Sequence, residues 1–356
     1  MTEVRKGQFP GKLSRVEFHD RYQQKFHDPR FDPERDAIAR LEDIAWSNFS
    51  DSRKAPITQK AGPGFKDPDY DLSVEWVAAK AAIDAAQREQ SDPASTSRVL
   101  VINGSPRNDG SCPGEMSKSH RLAKIAAATL ELAALEVDYL DLSEITSEYT
   151  KHIHPCKGCA STAMPLCHWP CSCYPNHSLG LVNDWMYELY PRLVRAHGVI
   201  IVAPTHWYQS PSVLKSMIDR LVCADGGNPD PSSTHGKKAE EAKAIELAGW
   251  DYPKHLADRV FGVIVHGDVA GIESQRRNLS DWLRWMGLID AGERATIDRY
   301  IGYYEPYATS HDTLDKDQPM QDEARLVAKV VGIAVARMRR GELKRPDEGL
   351  APPRAK

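Results

Sequence analysis

The stretch Val99-Leu-Val-Ile-Asn-Gly-Ser-Pro-Arg107 constrains this chain more than any other. Val99 to Ile102 are aliphatic throughout, which suits a strand buried on both faces, and such strands belong to parallel sheets covered by helices. The run stops abruptly in Gly104-Ser-Pro-Arg107. A small, polar, basic turn at the carboxyl end of a buried strand is where open α/β sheets bind anionic ligands. Backbone N–H groups, the Ser105 hydroxyl and the Arg107 fork can together grip one phosphate. Taken alone, the tetrapeptide is equally a tight turn with a capping serine and a surface arginine.

The rest of the chain supplies the context. From residue 97 to 341, apolar runs alternate with amphipathic segments. Strands are expected at 98–103, 137–140, 198–203, 259–266 and 294–300. Helices are expected at 117–135, 184–197, 213–221, 271–286 and 322–340. Strands separated by helices imply a doubly wound parallel sheet. Residues 1–96 differ: they are rich in charge, proline and aromatics, and they read as an irregular, partly helical N-terminal extension with helices at 33–46 and 73–89. Residues 225–257 are polar and read as an insertion. Residues 342–356 are charged and Pro-rich, and a frayed tail is expected there.

Three loops end the central strands. The first holds Ser105 and Arg107, and the helix that follows opens with Ser117 and Ser119, either of which can cap it and offer a hydroxyl to an anion. The second is Pro204-Thr-His-Trp-Tyr-Gln209, whose aromatics suit a planar ring. The third, Gly267-Asp-Val-Ala-Gly271, follows the fourth strand. Three strand-end loops on one sheet edge converge on a single crevice.

Gly104-Ser-Pro-Arg107 and Pro204-Thr-His-Trp-Tyr-Gln-Ser-Pro-Ser-Val-Leu-Lys-Ser-Met-Ile-Asp-Arg220 resemble the flavodoxin-like NADPH-dependent FMN reductase family, which includes the iron–sulfur flavoproteins. The likeness covers roughly residues 98–286. It implies an α/β, flavodoxin-like fold holding FMN non-covalently. Ser105 and Arg107 would then hold the phosphate, helped by Ser117 and Ser119. Pro204, Thr205, His206, Trp207, Tyr208 and Gln209 would line the flavin ring, and Gly267, Asp268 and Gly271 would close over it. His206 and Tyr208 are the candidate catalytic residues that protonate or orient a substrate, and His266 is a further candidate. The chain departs from the family in the long segment Asn108 to Met116 between Arg107 and the helix. The N-terminal extension and the 225–257 insertion have no counterpart in the minimal family pattern.

Five of the seven cysteines fall between Cys156 and Cys173, inside a Cys-rich loop at 152–177. Cys156, Cys159, Cys167 and Cys171 form the expected metal set, with Cys173 ranked behind them on spacing. Four thiolates suit a [4Fe-4S] cluster or zinc. The loop sits where the iron–sulfur flavoproteins carry their cysteine motif, but the third cysteine of that pattern is missing from Ala160-Ser-Thr162. Buried or redox-active thiols are the remaining reading. Cys112 and Cys223 stand apart and are expected to be inert.

The 356 residues carry a formal net charge of -4, which gives no reason to expect nucleic acid or an anionic membrane as partner. No run approaches the roughly 18 apolar residues of a membrane span. The opening residues lack the apolar core of a secretory signal, so a cytoplasmic protein is expected. The reading is an FMN-dependent NAD(P)H oxidoreductase that reduces a small-molecule electron acceptor (a quinone, flavin or aromatic compound), with an iron–sulfur cluster as a relay. Two other readings stay open: an FMN/Fe–S carrier exchanging electrons with an electron-transfer protein, and a zinc-stapled flavodoxin-like binding protein. Relatives assemble as homodimers or homotetramers, and the same is expected here.

Overall fold

The structure is a computed structural model that describes residues 13–111, 116–306 and 309–343. Cys112 and the end of the expected tail lie outside the described residues. The chain divides into two compact units. One takes residues 1–80, 157–184 and 227–250, and the other takes 81–156, 185–226 and 251–356. This grouping differs from the linear division read from the sequence. The N-terminal extension, most of the Cys-rich loop and much of the insertion are one unit, because none of these short segments can bury its apolar residues alone.

In the first unit, α1 (Arg15–Gln23) and α2 (Arg35–Ser50) pack through rings. Phe18 lies 5.3 Å from Trp46 and 5.2 Å from Phe49, centroid to centroid. The buried carboxylate of Glu42 takes hydrogen bonds from Arg15, His19 and Gln23. A short antiparallel hairpin, β1 (Thr58–Lys60) and β2 (Asp71–Ser73), leads into α3 (Val74–Ser91). Trp76 is fully buried, and its indole N–H donates to the Pro170 carbonyl at 2.8 Å. His168 is buried between Ser172 Oγ (2.6 Å) and Thr234 Oγ1 (3.0 Å), which ties the Cys-rich loop to the insertion. The insertion itself carries α7 (Ala239–Leu247).

The second unit is the sheet. Its strands are β3 (Arg98–Asn103), β4 (Glu136–Asp141), β5 (Gly198–Pro204), β6 (Val260–Gly267), β7 (Ile289–Asp290) and β8 (Thr296–Tyr300). The order is β4-β3-β5-β6, with both β7 and β8 pairing β6, and every pair is parallel. Numbered from β3 this is 2-1-3-4-5, the flavodoxin-like order. The aliphatic runs put side chains on both faces, as a period of two requires. Val99, Val101, Ile200 and Val202 pack with α4 (Lys118–Leu132) and α10 (Gln318–Arg339). Ile102, Val199 and Ile201 face Leu193, Met217 and Leu283 of α5 (Met186–Arg195), α6 (Ser212–Arg220) and α8 (Ile272–Trp285). The short α9 (Ser310–Leu314) precedes α10. Among the described residues, no helix is long and apolar enough to cross a membrane.

Candidate functional site

The chain leaves β3 for β4 on one side and later returns to β5 on the other. The strand order therefore reverses between β3 and β5, and a crevice opens at their carboxyl ends. Register brings the three loops together: Asn103 pairs with Val202, and Pro204 with His266.

The first loop is held from beneath. The buried Asn103 amide donates to Asp141 Oδ1 at 2.8 Å and to the Arg107 carbonyl at 3.2 Å, while its oxygen accepts the Ser105 N–H. Ser105 Oγ accepts the Arg107 N–H at 3.1 Å. Glycine at 104 lets the backbone pass close to its neighbours, since a Cβ there would meet Leu214 Cδ2 at 2.9 Å and Ala203 Cβ at 3.1 Å and one of them would have to shift. Ser117 caps α4, its side chain accepting the His120 N–H. Ser119, the second residue of α4, is buried and shares a 2.7 Å hydrogen bond with His266 Nε2.

The second loop is a four-residue turn in which His206 and Gln209 exchange backbone hydrogen bonds at 2.9 Å. Its two central residues, Trp207 (φ 46°) and Tyr208 (φ 68°), are both left-handed. Such a pair is normally glycine- or asparagine-rich, so two aromatics here store strain, a pattern that clusters at functional sites. Trp207 is 93% and Tyr208 62% exposed, so neither ring is there for the core. The third loop presses against this turn: a Cβ on Gly271 (φ 98°) would stand 2.7 Å from Tyr208 Cα.

Together these loops line a cavity of about 640 Å³. Ser105, Arg107, Ser117 and Ser119 face it from the first loop and α4. Pro204, Thr205, His206, Trp207 and Tyr208 face it from the second loop, and Gly267 and Asp268 from the third. Two expected residues are not in its wall: Gln209 closes the turn behind it, and Gly271 is the seat of Tyr208. Sequence reasoning missed Lys118, which lines the cavity between Ser117 and Ser119 and donates to the Ile301 carbonyl and Ser310 Oγ, both at 3.1 Å. Burial pushes the Lys118 ammonium below its ordinary pKa, with the Asp268 charge opposing. Burial, then the charges of Lys118 and His206, push His266 down to about 3, so its ring is neutral. Burial also lowers His206. Thr205 Oγ1 and His266 Nδ1 are buried with no hydrogen-bond partner among the described residues.

A model of the NADPH-dependent FMN reductase family matches residues 97–300, more than half of the chain. The chain belongs to that family. FMN reductases are flavin-dependent oxidoreductases. An iron-sulfur flavoprotein from Methanosarcina thermophila is 29% identical over 125 residues, covering 35% of this chain and 52% of that protein. The match thus spans about half of that relative's length. Among solved structures, RosB with a bound 8-demethyl-8-formylriboflavin-5'-phosphate intermediate is 13% identical, covers 71% of this chain and 84% of its own, and has a TM-score of 0.47. A flavone reductase is 16% identical with 72% and 68% coverage and a TM-score of 0.39. The azoreductase AzrA is 12% identical with 67% and 100% coverage and a TM-score of 0.38.

The cysteines arrange themselves differently from the expected set. Cys159 Sγ touches Cys173 Sγ at 3.4 Å, the partner that spacing ranked last. Lys237, from the insertion, donates to Cys159 Sγ at 3.6 Å and to the Leu166 carbonyl at 2.7 Å. Cys167 and Cys171 are buried in the same unit. The Cys173 contact, then the Lys237 charge, pull the Cys159 thiol down to about 6 against its burial. The charges of Cys167 and Cys171 also act on Cys159 and Lys237, so four thiols of the cluster lie about one ammonium. Among the described residues, no three His, Cys, Asp or Glu side chains are placed to hold one ion.

Proposed function

We propose that the strand-end crevice holds FMN and that the enzyme uses NAD(P)H to reduce a small acceptor such as a quinone, a flavin or an aromatic compound. The observation that carries this reading is the polarity of the crevice. Its wall combines Arg107, Lys118 and the hydroxyls of Ser105, Ser117 and Ser119 with the exposed rings of Trp207 and Tyr208. A phosphate wants the first and a flat ring the second. The fit is supported by the buried, unpartnered Thr205 Oγ1 and His266 Nδ1 beside the cavity, since buried polar atoms need a partner. A volume of about 640 Å³ is in the range of cofactor sites.

Bound FMN supplies the hydride and electron chemistry. The protein's part is to bind and orient. Ser105, Arg107, Ser117 and Ser119 take the phosphate, and Lys118 adds its charge on the same side. Ser119 is oriented by His266, whose neutral ring leaves the hydroxyl in a defined hydrogen bond. Pro204 and Thr205 line the ring's pocket, with Gly267 and Asp268 opposite. His206 and Tyr208 stand beside the acceptor. With its pKa lowered, His206 is neutral near pH 7 and acts as a hydrogen-bonding partner before it acts as an acid. The test is steady-state oxidation of NADH and NADPH by purified protein with a quinone acceptor. Flavin-dependent turnover is expected. A flavin-loaded protein that oxidises neither nucleotide would overturn the donor assignment.

A further inference from the structure

We infer that His266 is a positioning residue that makes the Ser119 hydroxyl a fixed hydrogen-bond donor toward the cavity, and so selects a phosphorylated flavin over its unphosphorylated form. The inference rests on the FMN reading and gives one hydrogen bond of that site a direction.

His266 stands near the carboxyl end of β6, in register with Pro204, and Ser119 lies in the first turn of α4. They are 3% and 2% exposed, and both line the cavity of about 640 Å³. Ser119 Oγ lies 2.7 Å from His266 Nε2. The other ring nitrogen, Nδ1, is buried with no hydrogen-bond partner among the described residues. Burial keeps the ring neutral, and the charges of Lys118 and His206 act in the same direction. A neutral imidazole carries one proton, and a hydroxyl has one donor and two lone pairs.

Two arrangements satisfy the 2.7 Å contact. With the proton on Nδ1, that nitrogen is a buried N–H with nothing to donate to. Ser119 then spends its only proton on Nε2 and can offer the cavity lone pairs alone, which repel an oxyanion. With the proton on Nε2, the ring donates to Ser119 Oγ and Nδ1 keeps an unused lone pair. The Ser119 O–H is then left for the cavity. An orphaned buried N–H is the rarer and costlier defect of the two, so the proton belongs on Nε2. The surroundings agree, since Arg107 and Lys118 bring positive charge to the same wall. A doubly ionised phosphate has only acceptor oxygens, and a donor held in place gives it a charge-assisted bond. Riboflavin offers a neutral hydroxyl in its stead and gains only the weaker, neutral bond.

The test uses the full-length protein, isotopically labelled in its histidine nitrogens, free of flavin and then loaded with FMN. The His266 ring signals are assigned by their loss in His266→Gln. Near neutral pH a protonated Nε2 and a bare Nδ1 are expected in both states. A proton on Nδ1, or on both nitrogens, would overturn the inference. Titrations with FMN and with riboflavin supply the second readout. Ser119→Ala should lower the FMN-to-riboflavin affinity ratio about tenfold and His266→Leu about fivefold. His266→Gln, whose amide can donate to Ser119, should keep the ratio within about twofold. Equal losses for both flavins in His266→Leu, which a purely structural role would give, would overturn the inference. If that variant does not fold, the ring signals and Ser119→Ala decide. Wild-type protein that binds neither flavin refutes the FMN reading instead. Inorganic phosphate is then the probe, and the inference fails if phosphate leaves the His266 Nε2–H signal unmoved.

Discussion

The two cavities of this molecule are built in opposite ways. The crevice in the sheet unit is lined by loops whose positions follow from strand register: three neighbouring parallel strands end at the same sheet edge, so three loops meet. The second cavity, beside Cys159 and Cys173, is lined by segments more than 50 residues apart in sequence and contains little regular structure. Its geometry rests on individual contacts such as Trp76 to Pro170 and His168 to Thr234. A regular sheet makes a site whose location a sequence discloses, whereas a loop-built site is disclosed only by its contacts.

The largest way to break this contrast is Trp76→Ala. Removing a fully buried indole should cost about 3–5 kcal/mol, read by denaturant unfolding. The thiol pair should lose its spacing while FMN affinity holds. An equal loss of FMN affinity would mean that the two sites do not stand on separate supports. Next is Arg107→Ala, expected to weaken FMN binding by about 1.5–3 kcal/mol with unfolding stability unchanged, as measured by flavin titration.

A pH experiment sharpens the picture of the crevice. The folded-state pKa of His266 is near 3, well below the unfolded value of about 6.5. As pH falls below 6.5 the unfolded chain binds a proton that the folded chain refuses. Stability contributed by the neutral ring is therefore lost on acidification, at about 1.4 kcal/mol per pH unit down to about 3. His266→Gln should flatten that slope in unfolding curves taken between pH 7 and 4. An unchanged slope would show that His266 is not held neutral.

The smallest effect concerns Trp207. Because its ring is solvent-exposed, Trp207→Ala should leave unfolding stability within about 0.5 kcal/mol. The same change should weaken FMN binding by about 1 kcal/mol through a lost aromatic contact. A stability loss without a change in binding would make Trp207 a structural residue.

Legibility in the sequence followed the same division. The doubly wound sheet could be read because Val99–Ile102, Val199–Val202 and Val263–Val265 are aliphatic runs followed by turn residues, and a buried parallel strand needs that composition. The crevice residues could be read from their place at strand ends. Lys118 could not, because a lysine at a helix start has no signature that separates a cavity wall from solvent. The cysteine pairing could not be read either. Spacing ranks neighbours along the chain, but Cys159 meets Cys173 through a fold-back supported by Lys237, 78 residues away. The N-terminal extension looked irregular because its apolar partners lie in distant segments.

The central claim is that the strand-end crevice holds FMN through its Arg107 end. The most direct measurement is flavin occupancy of purified protein by absorbance and FMN titration, wild type against Arg107→Ala. This account expects one FMN per wild-type chain and an affinity lowered roughly tenfold or more in the variant. Wild-type protein that takes up no FMN, or a variant that binds it equally well, would contradict it.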